Sequence, residues 1–528
     1  MRSILVLLLC VLASPAFAQE APCNAGTVFT DRNGNARRDP GERGLEGIKV
    51  SDGVQLATTD AQGRYALPVI EGRTVFVVKP AGYRFPKRAD GTPDFWRHVR
   101  TQAGPALKYG GMPPQPNACR DFALIPQERR ASTSLDVLVF ADPQTKSLID
   151  VGYYDRDVIA SVLDMRFDAD AGISLGDITH DDLSLYPRLN QATARLGVPW
   201  LHVAGNHDLD FDAKRDEDTL LTFRNTYGPD TFAWEEPQAV FLAMDDVVYR
   251  PESSDYIGGL RDEQFEFLAA YLPTIPKERL LVIGVHIPFF DAAPGRETFR
   301  HADRERLFAL LRDFPNVLLL SGHSHAQRHV FHDSSTGWHG ARPLHEYNVG
   351  AACGAFWSGL KDAQGIPDTT MADGTPNGFA TLRILKDGRY QLAWHPARNV
   401  DVQLVLHAPR VLRRGAWPGN GVYANVFMGR DDSRIEYRID EGDWKPMQRV
   451  ERADPRVVAE NIRDDEAPEL RNYDRAPEAT PSKHLWRGVL PTNLAAGAHR
   501  ISVRAYGVHP DREFDEVGAS YRLEDAEP

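Results

Sequence analysis

The sequence predicts an α/β core held between two β-rich regions, and three observations carry that prediction. From Leu135 to about Pro396, apolar strands alternate with polar loops and amphipathic helical stretches, the pattern of an α/β layer fold. Before and after this stretch, short β-like runs are punctuated by turn residues. The length, 528 residues, suits about three domains. An apolar fraction of 42%, 26% charged residues and 9 Trp supply ordinary core material, which excludes disordered, collagen-like and small disulfide-scaffold chains. The 61 Lys+Arg against 74 Asp+Glu leave a net charge of −13, so no global positive field holds a nucleic-acid backbone. Nucleic acid is therefore not an expected partner.

Residues 1–18 read as a secretory signal: Arg2, the apolar run Ile4 to Leu12, then Ala16-Phe17-Ala18 as a cleavage site. This predicts a mature chain starting at Gln19 in the periplasm or outside the cell. The apolar run is about half the ~20 residues that a bilayer crossing needs, and no later segment qualifies. Cys10 would leave with the signal. Cys23 and Cys119 bracket the first module and are expected to pair in an oxidising compartment. Cys353 is then an odd thiol, expected to be a small buried apolar residue.

The first module, 19–130, carries the runs Ile48 to Val50, Tyr65 to Leu67 and Thr74 to Val78, separated by Asp52-Gly53 and Gln62-Gly63. This is a small β-sandwich pattern, ended by the linker Pro126 to Arg130. Within 131–398 the predicted strands are Leu135 to Phe140, Gly172 to Leu175, Trp200 to Ala204, Val240 to Ala243, Leu280 to Val285 and Val317 to Leu320. Helices are expected over Asp155 to Met165, Asp262 to Tyr271 and Arg304 to Asp313. Region 399–528 returns to β with Val402 to His407, Tyr423 to Phe427, Ile435 to Ile439 and Arg500 to Tyr506.

Five strand ends carry chemistry: Asp142-Pro143-Gln144, Gly176-Asp177-Ile178-Thr179-His180-Asp181, Gly205-Asn206-His207-Asp208, Gly284-Val285-His286 and Gly322-His323-Ser324-His325. A lone His or Asp after a strand is usually a cap, but five such groups in this order converge on one crevice. Carboxylate, amide and imidazole together form a mixed shell suited to Mn, Fe or Zn.

In these blocks the sequence resembles the calcineurin-like metallophosphoesterases, whose motifs are D-x-H, G-D-x-x-x-D, G-N-H-D/E, an isolated His and G-H-x-H. The resemblance implies an αββα sandwich core and two divalent metal ions. It implies that Asp177 bridges the metals, that Asp142, Gln144 and His325 complete one site, and that Asn206, His286 and His323 complete the other. His207 is implied as general acid for the leaving group, oriented by Asp208. Gln144 stands where the family usually has His; an amide oxygen is a harder, weaker ligand, which favours Mn. The substrate class implied is a phosphate mono- or diester, with a phosphorylated small molecule, glycan or lipid head group as the molecule attacked. The competing reading is a glycan- or surface-binding protein around an inactive hydrolase core.

Several neighbours are softer candidates. Asp181 is expected to fix its loop, and His180 to contact substrate or solvent. Phe289, Phe290, Phe356 and Trp357 wall a pocket or belong to the core, and Asn377 lies in a turn that reaches the cleft or only turns the chain.

In the first module Asp31, Asn33, Asn35, Arg37, Asp39 and Glu42 occupy positions 1, 3, 5, 7, 9 and 12 of a twelve-residue loop, the oxygen-ligand positions of a calcium loop. Position 6 is Ala36 rather than Gly. A bound calcium ion and a solvated polar turn are the two readings. This stretch, with Thr58 to Tyr65, resembles SdrD B-type immunoglobulin-like modules, which implies an immunoglobulin-like β-sandwich. Residues 400–528 resemble the C-terminal β-domain that accompanies bacterial metallophosphoesterases of this kind. Oligomeric state is not legible.

Overall fold

In the computed structural model, residues 24–115, 120–127, 133–293, 295–471 and 474–525 are described. The signal segment, Cys23 and Cys119 lie outside these residues, and with them the expected disulfide.

Strands buried on both faces are largely apolar, and the central strands are, apart from Leu344–Asn348, which carries Glu346 and Asn348. Ser134–Phe140, Ala171–Leu175 and Trp200–Val203 run parallel, and Gly378–Leu385 with Tyr390–Pro396 closes the sheet antiparallel on the other side of Ser134–Phe140. A second sheet has Ala239–Met244, Leu280–Gly284, Val317–Ser321 and Leu344–Asn348 parallel in its centre. Antiparallel edges, Thr231–Glu235 and Arg328–His332, flank them. Inner side chains of both sheets, such as Ile173, Leu175, Val203, Ile283 and Leu319, share one apolar core.

The outer faces are covered by helices. Asp262–Tyr271 buries Phe265, Phe267, Leu268 and Tyr271, and His301–Leu311 buries Leu307, Phe308 and Leu311. On the other sheet, the helix expected from Asp155 begins earlier, at Leu148, because the Ser147 hydroxyl caps the amides of Ile149 and Asp150. A single π turn, Asp155–Ile159, joins it to Ala160–Met165. That turn points Asp157 inward, where it accepts from Asn377 Nδ2 at 2.9 Å and pairs with Arg398 at 3.0 Å. Among the described residues no helix is long and apolar enough to cross a membrane.

The first module is two four-stranded sheets, the second ordered Leu56–Thr58, Lys49–Ser51, Thr74–Val77 and Trp96–His98. It is joined to the α/β core by buried polar contacts. Lys79 Nζ reaches Glu236 at 2.6 Å, and His98 Nε2 meets the Arg224 carbonyl at 3.0 Å. The last region pairs a four-stranded sheet with a five-stranded one built on the hairpin Gly497–Tyr506 and Phe514–Glu524. Its Asn425 and His484 grip Asp373 of the α/β core: Asn425 Nδ2 donates to the Asp373 carbonyl at 2.8 Å, and His484 Nε2 lies 3.0 Å from the carboxylate. The same carboxylate accepts the Gln327 amide at 2.8 Å, two residues beyond His325.

Candidate metal centre

All five strand-end blocks emerge at the same edge of the two facing sheets. The loops are tight enough to force unusual backbone: Asp142, Gln144, Asp177, His323 and His325 all have φ between +39° and +70°, a region that non-glycine residues seldom occupy. Two glycines are required by close approach. A Cβ on Gly205 would lie 2.2 Å from the Asp177 amide and carboxylate, and one on Gly176, itself at φ +87°, would lie 2.5 Å from His286 Nδ1.

Asp177, Asn206, His286 and His323 converge. His286 Nδ1–H donates to the Leu175 carbonyl at 2.8 Å, which leaves Nε2 to face the pocket. That nitrogen faces Asn206 Oδ1 at 3.0 Å, His323 Nδ1 at 3.2 Å and Asp177 Oδ1 at 3.3 Å. Three acceptor atoms around one ring nitrogen repel one another unless a positive charge sits among them, and this donor set fits a divalent cation. The electrostatics agree. Burial opposes charge on His286, but Asp177, Asp142 and Asp246 outweigh it and hold its pKa up at about 10, so without a cation Nε2 carries a proton, whose place a divalent ion would take. Burial pushes His323 and His325 down to about 3 and about 4, so both rings are neutral with a lone pair to offer.

A second group lies across Asp177. His325 Nδ1–H donates to the Gly354 carbonyl at 2.7 Å, and its Nε2 is 3.6 Å from Asp142 Oδ1. Asp142 is held by the His323 amide at 3.0 Å. Gln144 belongs here too, with Nε2 3.3 Å from Asp177 Oδ2 and Oε1 3.7 Å from Cys353 Sγ. To present its oxygen to a cation the amide turns half a revolution. Cys353 is buried and raised far above the ordinary thiol range by burial, which suits the inert role expected of it.

His207 is placed differently from the expectation that Asp208 orients it. Its Nδ1–H donates to Asp181 Oδ1 at 2.7 Å, and its ring stacks on His180 at 4.2 Å. Asp208 is wholly buried and turned away. Its carboxylate accepts the amides of Gly205 at 2.9 Å and Ile178 at 3.1 Å and the Tyr186 hydroxyl at 3.0 Å. A carboxylate so filled fixes the loop, and the exposed Asp181 takes the orienting role. Asp181 was legible as the last residue of the G-D-x-x-x-D block. Burial opposes charge on His207, but Asp181 and Asp177 raise its pKa above the ordinary imidazole value.

The softer candidates divide. Phe356 stacks on His325 at 4.2 Å and Trp357 Nε1 donates to the Pro143 carbonyl at 2.9 Å, so both brace the site. Phe289 is core, and Phe290 lies under the Arg328 guanidinium. Asn377 is buried on Asp157, behind the site. Tyr256, which the sequence did not single out, sets its ring 5.9 Å from that of His323.

In the twelve-residue loop, Asp31 is buried and accepts the amides of Gly34 and Ala36 at 2.7 and 2.9 Å. Asn33 and Asn35 both donate to Asp39 Oδ2, and Glu42 accepts the amides of Arg32 and Asp39. Ala36 adopts φ +59°, the left-handed conformation that a glycine would take more easily. Arg37 contributes an amide to Asn35 Oδ1 at 2.8 Å.

Three family models match the chain. The calcineurin-like phosphoesterase model covers residues 135–327, the model for the N terminal of calcineurin-like phosphoesterase covers 31–108, and that for its C terminal covers 346–511. Among solved structures, a dimetal phosphatase from Danio rerio is 14% identical, with 50% of this chain and 98% of that chain covered and a TM-score of 0.34. A metallophosphoesterase from Sphaerobacter thermophilus is 16% identical, with 50% and 89% covered and a TM-score of 0.22. No curated protein matches. The phosphoesterase model spans all five strand-end blocks, with the N- and C-terminal models on either side, and the chain belongs to the calcineurin-like phosphoesterase family.

Proposed function

We propose that this phosphoesterase is an exported dinuclear enzyme that hydrolyses phosphate mono- or diesters, and one observation carries the reading. The Nε2 of His286 faces three acceptor atoms within 3.3 Å, an arrangement that calls for a positive charge among them. Asp177, Asn206, His286 and His323 would hold one ion, and Asp142, Gln144 and His325, with Asp177 shared, the other. Mn is favoured over Fe and Zn because the Gln144 amide is a hard oxygen donor. When bound, two such ions would supply Lewis-acid charge for phosphoryl oxygens and acidify water near neutral pH.

The chain's own groups do the rest. The Asp181 carboxylate fixes the His207 tautomer so that Nδ1 carries a proton toward Asp181 and Nε2 turns to the substrate. A protonated Nε2 donates to the departing alkoxide oxygen, which avoids releasing a strong base. The backbone amide of His207 donates to Asp177 Oδ1 at 2.8 Å, which ties the acid's position to the shared ligand. Phosphorylated small molecules, glycans and lipid head groups are the substrate classes proposed. The test is hydrolysis of a panel of monoesters and diesters by Mn-loaded protein, with chelated protein as control. Turnover that survives thorough chelation ends the dinuclear reading.

Two proposals concern the first module. A Cys23–Cys119 disulfide closes it, and peptide mapping under non-reducing conditions that finds both thiols free rejects this. Calcium occupies the loop from Asp31 to Glu42, and a melting temperature of the full chain indifferent to calcium rejects that in favour of the solvated turn.

A further inference from the structure

We propose that the first module completes the active site: Tyr109 is a positioning residue that fixes Asp181 and, through it, His207. This rests on the reading of His207 as the general acid.

Leu107 to Met112 lies far from the strand-end blocks in sequence, yet it is strapped onto the α/β core beside them. Leu107 and Met112 are buried with Ala213 and Leu221 in a small apolar cluster of their own. The Lys108 amide donates to Asp212 Oδ2 at 2.9 Å, and the Gly111 amide to Thr222 Oγ1 at 3.1 Å. These contacts place the Tyr109 hydroxyl, which donates to the Asp181 carbonyl at 2.7 Å. Lys108 Nζ donates to the same hydroxyl oxygen at 2.6 Å, and a cation on that oxygen strengthens its own donation to Asp181.

Asp181 needs this grip. Its φ is +67°, its side chain is about half exposed, and its amide reaches the His207 carbonyl at 3.2 Å. An exposed aspartate in a left-handed turn has other conformations open to it. Held at its amide by His207 and at its carbonyl by Tyr109, it keeps its carboxylate on the His207 ring. The chain of contacts from module to catalytic group is Tyr109 hydroxyl, Asp181 backbone, Asp181 carboxylate, His207 Nδ1. Such support matters only when the leaving oxygen must be protonated. A site that invests in it is built for esters of ordinary alcohols rather than for phenolates.

The experiment compares wild type, Tyr109→Phe and His207→Asn as full-length Mn-loaded protein. The substrates are two esters of the type wild type accepts, one with an alkyl alcohol and one with 4-nitrophenol, which departs without a proton. Melting temperatures are taken alongside. The proposal expects kcat of Tyr109→Phe to fall about tenfold on the alkyl ester and less than about twofold on the nitrophenyl ester, with KM and melting temperature unchanged. His207→Asn should show the same selectivity, larger. Equal loss on both esters, or none on either, in Tyr109→Phe overturns the proposal while a selective His207→Asn leaves the general-acid reading standing. If His207→Asn is unselective, or wild type turns over neither ester, that underlying reading fails. The contact is then judged by the ring-nitrogen resonances of His207, which move in Tyr109→Phe if Tyr109 positions it and stay put if it does not.

Discussion

His207 Nδ1 lies 2.7 Å from Asp181 Oδ1, whereas the carboxylate of the neighbouring Asp208 accepts the amides of Gly205 and Ile178 and the Tyr186 hydroxyl. The two carboxylates have divided the work: the exposed one orients an imidazole, and the buried one gathers loop amides. Asp181→Asn should therefore lower kcat by about ten- to a hundredfold on alkyl esters without changing the melting temperature. Asp208→Ala should instead cost about 3 kcal/mol of stability, since it strands several buried amides. Kinetics and thermal melts on both variants decide, and the reverse assignment of effects would restore Asp208 as the orienting group.

As a proposed ligand, Gln144 should set the affinity of one metal position. Gln144→His should tighten retention and move preference from Mn toward Zn or Fe, because imidazole is the softer donor. Gln144→Ala should empty that position while the one built on Asn206, His286 and His323 stays filled. Metal analysis with activity titrated against Mn checks this; identical stoichiometry in wild type and both variants removes Gln144 from the ligand set.

Acid should weaken the joint between the first module and the core. Burial holds the His98 pKa down at about 3, against an ordinary 6.5, with Thr74 Oγ1 at 2.8 Å and the Arg224 carbonyl on its two nitrogens. Between pH 6.5 and about 3 the unfolded chain binds a proton that the folded chain refuses, so stability from this residue is present above 6.5 and lost as pH falls through that window. The loss approaches about 1.4 kcal/mol per pH unit. His98→Gln should flatten that slope in denaturant titrations between pH 4 and about pH 7; an unchanged slope assigns the acid lability elsewhere.

The buried Asp373 links the C-terminal region to the loop that follows His325. Burial opposes its charge, but His484 and the amides of Thr375 and Gln327 keep its pKa below the usual carboxylate value. Asp373→Ala leaves His484 Nε2 and the amides of Gln327 and Thr375 without their acceptor and should cost about 3–5 kcal/mol. Because Gln327 loses its anchor as well, metal retention should fall with stability. A variant that melts like wild type would show the interface to be held by apolar packing alone.

How much of this was legible depended on how local each signal is. The strands Leu280–Gly284 and Val317–Ser321 and the helix Asp262–Tyr271 announce themselves because burial on both faces, or on one stripe, writes an apolar pattern into consecutive residues. Leu344–Asn348 carries the polar residues His345, Glu346 and Asn348 in a central parallel strand and so did not read as one. Glu346 is buried there on His332, the Ser321 hydroxyl and the Phe289 amide, a satisfaction that only the fold supplies. The strand-end groups could be read from their order along the chain. The partner of His207 could not, since Asp181 and Asp208 both lie within reach by sequence and only the loop geometry separates them. Tyr109 was out of reach for the same reason: its contact spans 72 residues and two domains.

Asp177 is proposed to be shared by two cations, and the metal content of Asp177→Asn measures this most directly. Asp177 lies between His286 on one side, Oδ1 to Nε2 at 3.3 Å, and Gln144 on the other, Oδ2 to Nε2 at 3.3 Å. Wild type purified with Mn should carry two equivalents by elemental analysis, and Asp177→Asn, folded by its melting curve, should lose both together along with hydrolysis. A folded Asp177→Asn that still holds two equivalents and turns over substrate would contradict the account.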